Sequence, residues 1–248
     1  MKKTTLFSIF MRSLTIQVSF NFRRMQNLGF AFAMFPFIAR QQKNRSETDV
    51  FLARHLQMFN SHPYLVSSVI GSVVRIEAEA SNPESAGDLK KALMGPYAAL
   101  GDSFFWGALR SFSAVGAVIL ALTGTLLAPL AFLLLYIPAQ LLVRVKGFIE
   151  GYRHGRHGID FIRALDLPKE SVRLRYILLI MTGFLAAVAI DAAGRSWNPP
   201  VEMPGEVIGL VGLVVIFVAF AGVRQGISSV KILYGMSLLC MALSIKIW

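Results

Sequence analysis

Six stretches of this chain carry no Asp, Glu, Lys or Arg: residues 25–39, 57–74, 111–143, 176–190, 207–223 and 232–245. Polar and mostly basic segments separate them. The run from 111 to 143 exceeds the roughly 20 residues of one straight helical crossing of a bilayer. Gly124, Pro129 and Pro138 predict a kink or a hairpin-like break within it. The other runs are short for a full crossing, so tilt, snorkelling Lys and Arg, or burial among neighbouring helices makes up the length. Residues 25–39 contain Pro36 and predict a re-entrant or half-depth helix. Asn60-Ser61-His62-Pro63 interrupts the second run, because the residue before proline avoids helical geometry. Residues 1–24 mix Leu6, Phe7, Ile9 and Phe10 with Lys, Arg, Ser and Thr, the pattern of an amphipathic helix lying in a membrane interface. Residues 75–91 read as charged and solvated, with a turn at Ser81-Asn82-Pro83. The whole predicts an all-α polytopic membrane protein, one domain over 1–248. Its parts are an interfacial segment (1–24), re-entrant and polar helices (25–110), a long apolar segment (111–143), a basic loop (144–175) and C-terminal membrane helices (176–245), with about four membrane-spanning segments in all.

Composition agrees. The chain is 55% hydrophobic and 16% charged, with mean hydropathy +0.58, against about 45–50% and about 25% in soluble domains. The net charge of +11 would suggest nucleic acid in a soluble protein, but no nucleic-acid recognition motif is present. Lys and Arg collect instead in cytoplasmic loops and near anionic headgroups. Residues 144–175 hold eight Lys or Arg against four acids, which predicts that this loop, and the N-terminus with it, is cytoplasmic. The loop 191–206, with Asp191, Glu202 and Glu206 against Arg195, predicts the outer face. The single cysteine, Cys240, excludes a disulfide within the chain and a Cys metal site. Lys2 and Lys3 precede a run broken by Arg12 with no small-residue cleavage site, so no signal peptide is expected.

The candidate chemistry sits just before the longest apolar run. Asp102 lies among Gly101, Ser103, Phe104, Phe105, Trp106 and Gly107. A charge near a bilayer costs kilocalories unless it faces a cavity, a partner or water. Two readings stand for Asp102: a hydrogen-bonding group for a polar ligand, with Phe105 or Trp106 as an apolar wall, or the N-cap of a helix starting near Phe104. Trp106 also fits an interfacial anchor. Gly95, Pro96 and Gly101 read as devices for a tight re-entrant turn, glycine freeing φ and proline fixing it. Asn60, Ser61 and His62 either line a polar path or satisfy a helix end. Asn21, Gln26 and Asn27 flank the first apolar run and either reach that path or bond across an interface. His55 reads as structural. His154 and His157 have no third ligand nearby in sequence, so no metal site is expected. Neither a phosphate-binding Gly-x-x-x-x-Gly-Lys loop nor a Gly-x-Ser-x-Gly elbow is present.

Four segments in order, Asn21 to Phe30, Arg54 to Pro63, Leu93-Met94-Gly95-Pro96 with Gly101-Asp102, and Phe105-Trp106-Gly107, resemble the IID component of mannose-family sugar phosphotransferase systems. The glycine-rich stretch from Gly147 to Asp160 is similar to that family's loop after its long apolar segment. The resemblance covers roughly residues 12–245. It implies a bacterial cytoplasmic-membrane protein, with no cofactor and no catalysis of its own, that pairs obligately with a IIC membrane subunit to move a hexose. It implies phosphorylation by a cytoplasmic IIB protein and assembly as a higher oligomer of IIC–IID pairs. On this reading Asp102, Phe105, Trp106, Asn60, His62 and Gln26 contact the sugar, and Arg153, Arg156 and Arg163 dock the partner protein by charge complementarity. Ser103 stands where the family pattern has proline, and the 191–206 loop is brief. These departures keep open a second reading, a non-transporting scaffold or regulatory subunit.

Overall fold

The computed structural model describes residues 1–41, 44–79, 84–196 and 204–245. The turn expected at Ser81-Asn82-Pro83 and the acid Glu202 lie outside the described residues. Among the described residues the fold is all helical. It resolves into two compact units, residues 1–181 and 182–248.

The first unit opens with α1 (Lys3–Ser13), α2 (Asn27–Gln41) and α3 (Arg45–His55). The expected amphipathic helix over 1–24 stops at Ser13 and is followed by turns. One face, Thr5, Ile9 and Ser13, is buried in protein, with the Ser13 hydroxyl 3.2 Å from that of Ser67. Pro36 sits inside α2. Asn44 caps α3, its side chain accepting from the Glu47 amide at 2.8 Å. Phe30, Phe37, Phe51 and Phe59 are fully or almost fully buried and form an aromatic ladder that includes His55.

The centre of this unit is α4 (Val66–Glu79) packed along α7 (Ala128–His154). The two backbones meet through small residues. A methyl group on Gly71 would fall 2.3 Å from the Phe148 carbonyl oxygen, and one on Gly151 would fall 2.4 Å from that of Ser68. Small residues four apart, Ser68 and Ser72 facing Gly147 and Gly151, allow this approach, the packing device that helices use where lipid removes a hydrophobic drive.

Between them, α5 (Glu84–Gly101) runs without a break into a π-helical segment (Asp102–Leu109) and then α6 (Arg110–Ala121). The turn expected at Gly95, Pro96 and Gly101 is therefore not formed. Pro96 is carried inside the helix, and Gly101 is needed for close packing rather than for a turn. Asp102 likewise caps nothing, since helix precedes it. The break in the 111–143 run lies at 122–127, where Gly124 takes φ +77°, and not at Pro129 or Pro138, which α7 absorbs.

The expected basic loop 144–175 is mostly helix: the end of α7, a 3₁₀ turn (Gly155–Gly158), α8 (Ile159–Ala164) and the start of α9 (Leu167–Ser196). Leu, Ile, Arg and Lys are good or tolerated helix formers, so basic charge did not imply irregular chain. α9 also continues through Asp191 to Ser196, shortening the 191–206 loop further. The second unit contains α10 (Gly205–Arg224) and α11 (Ser229–Ile245).

Two helical stretches, Glu84–Ala121 and Ala128–Ala192, are long and apolar enough to cross a membrane. Their apolar side chains face outward: Leu134 is 64% exposed, Leu179 68% and Ile180 75%. A contiguous surface of this kind suits lipid or a partner subunit.

Candidate functional site

The site is built where the non-helical chain before α4 meets the π-segment. Asn60-Ser61-His62-Pro63 cannot continue α3 into α4, and Gln26 holds it in place. The Gln26 Nε2 donates to the Ser61 carbonyl at 2.8 Å, and its Oε1 accepts from the Ser61 amide at 3.0 Å. The Gln26 amide also donates to the Phe59 carbonyl at 2.8 Å. Buried and bonded in this way, Gln26 mimics a neighbouring strand and positions the segment. Asn21 and Asn27 are engaged in the same corner: Asn21 Nδ2 donates to Asn27 Oδ1 at 2.8 Å, and Asn27 Nδ2 to the Leu56 carbonyl at 2.9 Å.

The clamp drives the His62 ring into the long helix. His62 stacks on Phe105 (centroids 5.3 Å, interplanar 16°) and meets the edges of Trp106 at 4.7 Å and Tyr64 at 4.8 Å. Its Nδ1 accepts from the Tyr64 amide at 3.3 Å, which assigns the ring proton to Nε2. That Nε2 is buried without a hydrogen-bond partner among the described residues. An orphaned buried donor costs about 1–3 kcal/mol, so this N–H is disposed to bond a polar group from outside the chain.

The π-segment sets the register of this wall. Its i→i+5 bonds, such as the Arg110 amide to the Phe105 carbonyl, insert an extra residue into the turn, a device concentrated at functional positions. Phe105 is fully buried, Trp106 half-buried and Asp102 exposed. Asp102 is thus on the surface, next in the chain to Gly101, whose α-carbon lies against the His62 ring. Asn60 is half-buried, two residues from His62. Ser103, the position that departs from proline, accepts from the Arg175 guanidinium at 3.1 Å.

Three residues of the cluster escaped sequence reasoning. The hydroxyls of Tyr64 and Tyr136 are 3.0 Å apart, and the Arg144 guanidinium lies 4.5 Å over the Tyr64 ring with its Nε buried and unpartnered. The available signal was Arg144 itself, the charge that ends the longest apolar run.

A second polar centre overturns the expectation that residues 75–91 are solvated. Glu77 is buried on α4, where Arg54 grips it through Nε at 3.0 Å and an Nη at 3.1 Å. His55 Nε2 lies 3.0 Å from the same carboxylate. The Lys90 ammonium donates to the His55 carbonyl at 3.2 Å and sits 4.2 Å over the Phe30 ring. Burial lowers the His55 pKa to about 4, although the bond to Glu77 opposes this. Burial alone would raise the Glu77 carboxyl, but the bonds from His55 and Arg54 and the adjacent positive charge outweigh it and hold the pKa below the usual range. The centre joins α3, α4 and α5 and is structural, as expected for His55.

Arg153, Arg156 and Arg163 are exposed at the far end of α7 and on the turn and helix beyond it. Arg163 only approaches Asp160, at 3.8 Å on the surface. His154 pairs with Glu150 at 3.1 Å and His157 approaches Asp160 at 3.9 Å. Among the described residues no cluster of three groups suited to a metal exists.

The sequence profile of the PTS system mannose/fructose/sorbose family IID component matches residues 1–247. The mannose-specific EIID component of Escherichia coli K12 is 38% identical over 162 residues, which are 62% of this chain and 56% of that protein. The fructose permease IID component of Bacillus subtilis is 34% identical over 190 residues, 75% of this chain and 69% of that one. The chain thus spans little more than half the length of the first of these relatives. Among solved structures, a chain of the mannose transporter ManYZ in complex with microcin E492 aligns over 98% of this chain and 96% of its own, at 26% identity and TM-score 0.58. A second, described as a membrane protein, aligns over 97% and 96% at 25% identity and TM-score 0.74. The chain belongs to the IID-component family of the mannose/fructose/sorbose phosphotransferase systems.

Proposed function

We propose that this chain is the IID subunit of a mannose-type sugar permease in the bacterial cytoplasmic membrane. It pairs with a IIC subunit, and the two together form the path of a hexose that a IIB protein phosphorylates on the inner face. Phosphoryl transfer belongs to IIB, and this chain holds and orients the sugar. The observation that carries the reading is the wall of His62, Phe105 and Trp106, with a buried imidazole N–H that has no partner among the described residues and an exposed Asp102 one residue beyond Gly101. A few placed polar groups on an aromatic wall are what a polar ligand with apolar C–H faces requires. Half-buried Trp106 and exposed Asp102 leave this wall open to completion from outside the chain, consistent with a site shared with IIC. Asn60 lines its edge, while Gln26 positions it from behind. The exposed Arg153, Arg156 and Arg163 face the cytoplasm on this reading and offer an acidic or phosphorylated partner a basic surface.

Uptake of labelled hexose by cells carrying this chain with its IIC partner tests the proposal. Trp106→Ala and Asp102→Asn are expected to reduce uptake at least tenfold (about 1.4 kcal/mol of lost interaction) with the complex still assembled. Unchanged uptake in both variants removes the site assignment. No uptake by the unaltered pair, with a stable complex, favours the scaffold reading instead.

A further inference from the structure

We infer that the seam between α1 and the end of α7 holds an anionic phospholipid, with one acyl chain in an apolar groove and the phosphate against Lys3 and Arg153. The groove measures about 740 Å³, within the rough 300–1,000 Å³ range of clefts that bury small ligands. Its walls are Leu6, Phe7 and Phe10 from α1 and Val145, Phe148 and Ile149 from α7. Phe7 is 63% exposed and Val145 and Ile149 about two-fifths exposed, so the described residues leave them open. Phe10 packs on Phe148 at 5.4 Å, and Met1 lies beside Tyr152, their N and OH 3.3 Å apart. The two helices are therefore aligned with Lys3 and Arg153 at the same end.

Beyond Arg153 the character of the surface changes. Arg153 also lines a separate polar cleft of about 380 Å³ with Arg75, His154, Arg156 and His157. The one acid of that cleft, Glu79, is engaged by Arg75 at 2.6 Å. Greasy walls thus lead directly to a basic mouth, and among the described residues no carboxylate lines the groove. This is the charge and polarity order of a phospholipid with a net negative headgroup. A partner helix would need its apolar face to end in acid at one position. A neutral lipid would leave the cations without a counterpart. Basic side chains at the membrane surface favour anionic lipid in this way.

The test is lipid titration of the purified complex of this chain with its membrane partner, read by native mass spectrometry with dioleoylphosphatidylglycerol and dioleoylphosphatidylcholine. The anionic lipid is expected to bind about tenfold more tightly. Lys3→Gln with Arg153→Gln is expected to erase the difference while leaving phosphatidylcholine binding unchanged. Lys3→Arg with Arg153→Lys is expected to keep it, which separates charge from misfolding. Phe7→Asn is expected to weaken both lipids, and inorganic phosphate at the same concentration is expected not to displace them. Equal affinity for the two lipids, a preference that survives the double Gln variant, displacement by phosphate, or a photo-cross-linker at Ile149 that captures the partner subunit instead of lipid overturns the inference. None of these readouts depends on sugar transport.

Discussion

The imidazole of His62 lies against the α-carbon of Gly101 with no room for a side chain between them. A methyl group on Gly101 would fall 2.1 Å from His62 Cγ and 2.6 Å from Nδ1. The helix that carries Asp102, Phe105 and Trp106 therefore brings its backbone directly against the His62 ring at Gly101, and that residue is glycine because the ring occupies the space.

This contact sets apart two glycines on the same helix. Gly101→Ala forces the ring or the helix to move, and overpacking of this kind costs about 1–3 kcal/mol. Gly95 has nothing within 4 Å of an added methyl, so Gly95→Ala is expected to be neutral or to stabilise by about 0.5–1 kcal/mol. Thermal unfolding of the purified complex compares the two. Equal effects mean that the His62–Gly101 contact is not formed.

The α4–α7 seam makes a parallel prediction. Gly71→Ala and Gly151→Ala each press a methyl into a facing carbonyl oxygen and are expected to lower the amount of folded complex in the membrane. Gly183→Ala, with nothing within 4 Å, serves as the control and is expected to leave it unchanged. Quantitative immunoblotting of membranes reads all three.

The buried Glu77 carboxylate pairs with half-buried Arg54 and with buried His55. Glu77→Gln leaves the guanidinium without its counterion, and breaking a buried pair in this way costs about 3–5 kcal/mol. Replacing Arg54 as well, with Met, is expected to recover much of the loss, because the cost comes from the stranded charge. Equilibrium unfolding of single and double variants measures the coupling, and additive losses would contradict it.

The same centre makes the fold sensitive to acid. The native pKa of His55 is lowered to about 4 from 6.5, so the unfolded chain binds more protons between those values. Stability is then complete above about pH 6.5 and falls as pH drops toward 4, by an amount of the order of 3 kcal/mol. Glu77 acts in the same direction: its lowered pKa contributes stability above the ordinary carboxylate range that is lost on further acidification. His55→Gln is expected to flatten the upper part of this dependence. An unfolding midpoint that rises on acidification from pH 7 to 5 would rule the assignment out.

Much of this was written in the one-dimensional pattern. The charge-free run of residues 111–143 and the 55% hydrophobic composition pointed to an all-helical membrane protein, because such a run exceeds what a soluble core helix or a strand uses. The motif from Gly101 to Gly107 drew attention to Asp102, Phe105 and Trp106, and Pro63 marked the break that carries Asn60 and His62. Side-chain type and local backbone preference were enough for these, since they act over a few residues.

Tertiary structure decided the rest. Gly95, Pro96 and Gly101 look like a turn in sequence, yet they lie in one helix whose Leu93 and Tyr97 are buried in the core and whose Gly101 meets the His62 ring. Glu77 and Lys90 look like solvated charges, yet Arg54, His55 and the Phe30 ring supply partners that lie 22 or more residues away in the chain. Arg144 and Tyr136 join Tyr64 only because α7 folds back beside α4. A charge or a glycine takes its role from what stands opposite it, and the sequence fixes only what it is able to face.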